Sequence, residues 1–266
     1  MSKIGFIGCG NMGGALASAV ARSLGGNSVL LCDADLEKAR MLADRLSASA
    51  VSLSTLVSEA DCIFLGVKPQ GFASLLSEVL PLLGDRADQP LFVSMAAGLS
   101  TEKISSMLGG EIRLIRIMPN TPVAVGEGMI LYSVTDNVTD ADLELFLSSL
   151  KEAGRIAAIP EDKIDAASAV SGCGPAFAYL FVESLADAGV ACGLSRADAQ
   201  TFAAQMMLGS AKMVLESDKN PGALKDAVCS PGGTTIAGVY ALEQGGFRGS
   251  VMSAVAAAYR RTLELK

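Results

Sequence analysis

The chain opens with a short apolar run, Lys3-Ile4-Gly5-Phe6-Ile7, passes through Gly8-Cys9-Gly10-Asn11-Met12-Gly13, and continues into Asn11–Leu24, where apolar residues recur at helical spacing. A Gly-x-Gly-x-x-Gly between a strand and a helix leaves few folds open. Gly8 permits the tight turn, Gly10 lets backbone approach a pyrophosphate, and Gly13 lets helix and strand pack closely. The N–H groups that open the helix then face the phosphates. Among 28 glycines the motif would occur by chance, so its weight comes from the strand before it and the helix after it. Ile7, Gly8, Gly10, Asn11 and Met12 are therefore expected to contact a dinucleotide.

The pattern repeats along the next ~150 residues, where strands alternate with helices as in βαβ units and a mostly parallel sheet. Strands are predicted at Lys3–Ile7, Ser28–Asp33, Asp61–Gly66, Leu91–Ser94, Arg113–Met118 and Gly128–Ser133, with an edge strand at Gly154–Ala158. Helices are predicted at Asn11–Leu24, Leu36–Leu46, Gly71–Leu83 and Thr101–Leu108, and from Thr139 or Asp140 to about Lys151. In such sheets ligands bind at the carboxyl ends of the strands. That adds Asp33, Val67-Lys68-Pro69, Ala96-Ala97-Gly98 and Asn120 to the candidate cofactor contacts. Asp33 either bonds the adenosine ribose hydroxyls, which favours NAD by repelling a 2′-phosphate, or merely turns the chain. Lys68 suits a cofactor hydroxyl better than a proton-donor role, and Asn120 either offers its amide to the cofactor or turns the chain.

After Pro160 the strand signal stops, and the expected division is a dinucleotide-binding domain at 1–160 and a helical domain at 161–266. From Ile164 to Leu215 only Asp165, Glu183, Asp187, Arg196, Asp198 and Lys212 carry charge. Helices apolar on nearly every side are buried on nearly every side. So small a bundle has too little interior for them, which predicts a homodimer or higher homo-oligomer. The net charge of −7 lacks the basic stripe that nucleic acid needs. The apolar stretch Ala166–Val182 is broken by Gly172-Cys173-Gly174-Pro175 and is shorter than a membrane span. With Met1-Ser2-Lys3 leading straight into a strand, no secretory signal is expected, and the cytoplasm is the expected compartment. Six scattered cysteines read as free thiols, and no metal site is expected. The chain has no histidine, which removes Ser-His and Cys-His nucleophiles.

Ser230-Pro231-Gly232-Gly233-Thr234-Thr235 is the least ordinary segment. Serine before proline suggests a helix start, and the two glycines bare backbone to any ligand above it. The N–H groups of Gly233, Thr234 and Thr235 are expected to cradle a carboxylate or phosphate. Together with Val228-Cys229 and Ile236 around it and Pro221-Gly222-Ala223-Leu224-Lys225-Asp226 before it, this segment resembles the signature of the pyrroline-5-carboxylate reductases, the last enzymes of proline biosynthesis. The resemblance extends over the whole length, through Phe6–Met12, Val67-Lys68-Pro69, Ala96-Ala97-Gly98, Met118-Pro119-Asn120-Thr121-Pro122 and Ser171-Gly172-Cys173-Gly174-Pro175-Ala176.

The resemblance implies a Rossmann domain joined to an all-helical dimerisation domain. It implies a substrate site at Ser230, Gly232, Gly233, Thr234 and Thr235, with Thr235 touching the substrate nitrogen and backbone amides holding its carboxylate. It also implies NADPH or NADH as hydride donor. Asp33 and Cys173 depart from the commoner residues of that family. Imine reduction suits a chain without histidine, because the imine is already basic enough to hold a proton and the site need mainly position the reactants. A hydroxyacid dehydrogenase of similar layout would need a catalytic lysine after Ser171, and Gly172–Glu183 has none. A non-catalytic dinucleotide-binding regulator would leave Ser230–Thr235 without a role.

Overall fold

The computed structural model describes residues 2–84, 86 and 88–264. Among them, eight strands form one sheet: β1 (Ile4–Ile7), β2 (Val29–Cys32), β3 (Ser49–Ala50), β4 (Cys62–Leu65), β5 (Leu91–Ser94), β6 (Leu114–Met118), β7 (Gly128–Val134) and β8 (Gly154–Ala158). Their order is β3-β2-β1-β4-β5-β6-β7-β8, and every neighbouring pair is parallel except β6 with β7. β1, β4 and β5 are wholly buried, as strands covered on both faces must be. The two-residue period of a strand divides them between two cores. Ile4, Phe6 and Phe64 join one, with the two phenyl rings stacked 4.6 Å apart, while Ile7, Ile63 and Leu65 join the other.

The helices of this part are α1 (Asn11–Leu24), α2 (Leu36–Leu46), α3 (Leu53–Glu59), α4 (Phe72–Leu83), α5 (Thr101–Met107) and α6 (Asp140–Ser149). α1 and α2 run over the predicted spans, and Thr139 caps α6 with a full capping box to Asp142. β3 and α3 were not predicted. A two-residue strand has no period to read, and Ser52-Leu53-Ser54-Thr55 looks like a loop until Ser52 is seen capping it through Thr55 N–H.

Two compact units emerge, one of Met1–Gly172 with the residues from Tyr259 onward, the other of Cys173–Ala258. The first unit thus extends past the expected break at 160, because α7 (Ile164–Ser171) buries Ile164, Asp165 and Ala169. The second unit holds α8 (Gly174–Ala191), α9 (Arg196–Glu216), α10 (Pro221–Ala227), α11 (Thr234–Gln244) and the greater part of α12 (Phe247–Glu264). α8 and α9 lie side by side, close enough that a β-carbon on Gly189 would stand 3.0 Å from that of Ala199. Yet of the residues on these five helices only Ala186, Ala199 and Ala203 are buried. Leu180, Phe202 and Leu208 are all more than half exposed.

Candidate active site

The strand order reverses at β1. From it the chain proceeds outward through β2 and β3 on one side and through β4, β5 and β6 on the other, which puts a topological switch point between β1 and β4. The loops after β1, β4, β5 and β6 therefore open on one edge of the sheet, and they carry the candidates Gly8–Met12, Val67-Lys68-Pro69, Ala96-Ala97-Gly98 and Asn120. Pro69 opens a single helical turn, and its side chain lies outside the described residues. Gly98 adopts a φ of 76°, turning the loop where a side chain would strain it.

The three glycines of the first loop do different work. A β-carbon on Gly13 would stand 2.1 Å from the Gly8 carbonyl, and one on Gly8, whose φ is 101°, would stand 2.7 Å from the Gly66 carbonyl. Those two positions are closed by backbone. At Gly10 a β-carbon would meet nothing nearer than the Lys38 ammonium at 4.0 Å, so here glycine leaves an open face rather than filling a gap. Gly10 is also the extended N-cap of α1, with no side chain capping it, and the first intrahelical bond runs from Gly14 N–H to Gly10 O at 2.7 Å. The N–H groups of Asn11, Met12 and Gly13 are left as bare donors beside an open backbone, which fits a dinucleotide diphosphate.

Asp33, the residue after β2, has both carboxylate oxygens engaged: Cys9 N–H donates to one at 2.6 Å and Asp35 N–H to the other at 3.0 Å. It pins the glycine loop to the strand end, as well as carrying charge there. Asn120 is more fully committed. Its carboxamide accepts from Met129 N–H at 2.8 Å and donates to Ser171 O at 3.0 Å, so it joins the turn after β6 to β7 and to the end of α7. The expectation that Asn120 offers its amide to the cofactor gives way to a bracing role. The Cys9 thiol, chiefly through burial and then through nearby Asp33, is pushed up to about 12 and remains protonated at neutral pH. It is no nucleophile.

A charge cluster centred on the buried Arg116 ties β6 to the start of α5, three residues beyond Gly98. Arg116, on β6 and 2% exposed, donates to Glu161 at 3.0 Å and to Asp165 at 3.2 Å, while its Nε has no partner among the described residues. Glu161 in turn accepts from the Thr101 N–H at 2.7 Å and the Thr101 hydroxyl at 2.6 Å, at the start of α5. Burial pushes the Glu161 carboxyl up, but the Thr101 and Arg116 contacts outweigh it and hold the group below its ordinary value. Sequence reading missed this clamp. Its signal was a charge in the middle of the apolar strand Leu114-Ile115-Arg116-Ile117, which a buried strand tolerates only with a partner.

In the second unit, Ser230-Pro231-Gly232 does not start a helix as expected. It forms a turn, closed by Gly233 N–H to Ser230 O at 3.0 Å with Gly232 at a φ of 68°, and α11 begins at Thr234 with Gly233 as its extended N-cap. The Gly233 N–H is thus spent in the turn. The bare donors are those of Thr234, Thr235 and Ile236, since the first bond of the helix runs from Ala237 N–H to Gly233 O. Ser230, Thr234 and Thr235 are exposed, and neither threonine hydroxyl makes a hydrogen bond among the described residues.

Among the helices entered from an extended residue, these two starts stand apart. α2, α3, α5, α6, α9 and α10 are also entered from an extended residue, and in each a side chain (Asp35, Ser52, Ser100, Thr139, Ser195, Asn220) accepts a first-turn N–H. α1 and α11 are entered from glycine with no such cap. Leaving a helix start bare forgoes about 1 kcal/mol that a capping side chain contributes, unless a ligand takes its place.

Comparison with known proteins finds relatives along the whole chain. Residues 161–265 match the family described as pyrroline-5-carboxylate reductase dimerisation, and residues 3–98 match that described as NADP oxidoreductase, coenzyme F420-dependent. The pyrroline-5-carboxylate reductase of Escherichia coli (strain K12) is 43% identical over 259 residues, covering 95% of this chain and 94% of that protein. The crystal structure of Plasmodium falciparum pyrroline carboxylate reductase with NADP bound superposes with a TM-score of 0.87 at 36% identity, covering 98% and 97% of the two chains. The corresponding Coxiella burnetii reductase gives 0.89 at 30% identity, covering 100% and 98%.

Proposed function

This chain belongs to the pyrroline-5-carboxylate reductase family, and from that premise we propose how its residues divide the reduction of 1-pyrroline-5-carboxylate to proline by NADPH or NADH. The observation that carries the proposal is the pair of uncapped helix starts entered from an extended glycine, at Gly10 and at Gly233. Residues 1–160 serve the dinucleotide and residues 161–266 serve the substrate and the assembly. The bare N–H groups at the start of α1 hold the diphosphate, and the loops at Val67-Lys68-Pro69 and Ala96-Ala97-Gly98 line the remainder of the cofactor.

The N–H groups of Thr234, Thr235 and Ile236 take the substrate carboxylate, a full negative charge at the positive end of an eleven-residue helix. Ser230, Gly232 and Gly233 shape the turn that exposes them. The Thr235 hydroxyl, with no other partner among the described residues, bonds the substrate nitrogen and orients the ring. The bound dinucleotide supplies a hydride to the imine carbon. The nitrogen arrives protonated, its acidity lowered by the adjoining carboxylate, so it needs no strong acid from the protein, and it leaves as the amine. A hydroxyl held in place stabilises that change by hydrogen bonding without giving up its own proton. Reduction of a ketone would demand a donor for the developing alkoxide, and nothing at this turn is one.

The same reading gives the apolar run at 161–191, whose most apolar 18-residue stretch is only 11% buried, a second copy of the chain as its cover rather than a bilayer, because Asp165, Glu183 and Asp187 interrupt it. It gives the acidic chain no nucleic-acid partner. It gives the protein a cytoplasmic compartment, where its six free cysteines stay reduced. The test is turnover of NADPH and of NADH with pyrroline-5-carboxylate and, separately, with hydroxyacids. Oxidation of the dinucleotide by the imine alone supports the reading, and oxidation driven by a keto acid in its place overturns it.

A further inference from the structure

Ser171-Gly172-Cys173-Gly174-Pro175 lies where the chain passes from the first compact unit to the second. α7 closes with a regular bond, Gly172 N–H to Ser168 O at 2.7 Å. Gly172 and Cys173 keep helical dihedrals, with φ and ψ of −78° and −45° and of −86° and −27°, so the helix is interrupted here rather than ended. The interruption has a cause in the sequence. In an unbroken helix the N–H at position 175 would take the carbonyl of Ser171, and Pro175 has no N–H. A carbonyl orphaned in this way needs another donor. Asn120 is that donor: its Nδ2 donates to Ser171 O at 3.0 Å, while its Oδ1 accepts from Met129 N–H at 2.8 Å. Gly172 is closed by backbone as well, since a β-carbon there would stand 2.8 Å from Ser168 O.

We propose that Asn120 is a positioning residue for the reduction, and that the joint it makes with Pro175 fixes the direction in which the chain leaves the dinucleotide-binding unit for the one carrying Ser230–Thr235. This rests on the division of cofactor and substrate proposed above. Asn120 follows the end of β6, on the edge of the sheet where the cofactor loops open, so its grip on Ser171 starts from the backbone that serves the dinucleotide. The chain crosses between the units once more, from Ala258 to Tyr259, but that crossing lies inside α12, which contains no proline. The joint at 171–175 is the crossing whose direction a side chain sets. Hydride transfer depends steeply on how the donor and the imine carbon are aligned, and a misplacement of about 1 Å can cost on the order of 10²-fold. Loss of the grip therefore acts on turnover and leaves the dinucleotide's own contacts in place.

Two variants of the whole protein test this, each followed by kcat, by NADPH affinity in fluorescence titration and by melting temperature. Asn120→Asp keeps an oxygen for Met129 N–H but sets a carboxylate, with nothing to donate, against Ser171 O. It is expected to lower kcat roughly tenfold or more and to melt lower, with NADPH affinity within about twofold of wild type. Pro175→Ala returns an N–H to the Ser171 carbonyl, so that Asn120 no longer sets the joint. It is expected to lower kcat by roughly threefold to tenfold while melting no lower than wild type. Turnover that falls without any loss of stability is what a merely structural brace does not give. Weaker NADPH binding in Asn120→Asp would make Asn120 a cofactor contact and overturn the proposal. Wild-type kcat in either variant would overturn it too, and Pro175→Ala decides alone if Asn120→Asp does not fold. A wild-type protein that fails to reduce the imine would overturn the underlying division of roles, and that result is seen before any variant is made.

Discussion

On one side of Gly172 the chain buries whole strands and fills two cores with Phe6, Phe64, Phe72, Phe92 and Phe146; on the other side, as far as Ala258, it buries three alanines. Apolar content does not explain the difference, since α8 is richer in apolar residues than α2 is. What differs is where the apolar surface finds a partner. The first unit covers its sheet with its own helices. The second carries Leu180, Phe202, Met206, Leu208 and Met213 in the open, a pattern that a single soluble chain rarely sustains. Family membership supplies the reason, for this part matches a dimerisation family and the protein is a homo-oligomer. The lesson is that composition measures how much must be buried, and only structure tells what buries it.

The largest way to break this comparison is a charge on the uncovered surface. Leu208→Asp on α9 is expected to release monomers and to lower turnover by more than ~100-fold, because the hydrophobic contact it disrupts is shared by two copies. NADPH binding should remain within about threefold, since the first unit completes its own core. Sedimentation and fluorescence titration on the same sample check both halves. Loss of NADPH binding together with the assembly would mean the units are not independent in the way their burial suggests.

Thr235→Ala should come next. It removes one hydrogen bond to the reacting nitrogen, about 1–3 kcal/mol, and so lowers kcat/KM roughly tenfold to a hundredfold with dinucleotide affinity preserved. Thr235→Ser should keep much of the activity, and Thr234→Ala should be mild. A fall of less than about threefold for Thr235→Ala would make the hydroxyl a bystander.

A sharper contrast lies within the first unit. Gly13→Ala drives a methyl into the Gly8 carbonyl and should lower stability by about 1–3 kcal/mol. Gly10→Ala has room and should melt like wild type while binding NADPH roughly tenfold more weakly. If the two variants melt alike, the close approach at Gly13 is not what that glycine serves.

The smallest expected effect concerns the Arg116 clamp. The Glu161 carboxyl sits below its ordinary value in the folded protein, so the stability it contributes is present in full above the ordinary carboxylate range and is lost as pH falls through the lowered value. Glu161→Gln should therefore cost about 1 kcal/mol at pH 7, and the gap from wild type should close as pH falls through that lowered value. A gap that stays constant with pH would mean the Arg116 and Thr101 contacts are met equally well by an amide.

Much of this was legible because it is periodic. Asn11–Leu24 and Leu36–Leu46 show a 3.6-residue stripe ending in recognisable caps, and the parallel strands read as apolar runs at regular intervals. β3 and α3 were too short to show a period. Ser230-Pro231 misled for a chemical reason: serine before proline signals a helix N-cap and a turn with equal strength, and the difference lay in Gly232, whose φ of 68° puts the turn first and the helix three residues later. That displacement moves the free donors from Gly233 to Ile236. Asn120 likewise looked available until Met129 and Ser171 were found holding both ends of its amide. Partners so far apart in sequence cannot be read from it.

The claim that the second unit is finished by another copy of the chain is tested most directly by sedimentation equilibrium on the wild-type protein from nanomolar to micromolar concentration, with turnover followed in the same range. The account predicts a dimer or larger assembly throughout the active range, with an interface burying more than ~2,000 Å² in total. A stable monomer at micromolar concentration that reduces the imine at full rate would contradict it.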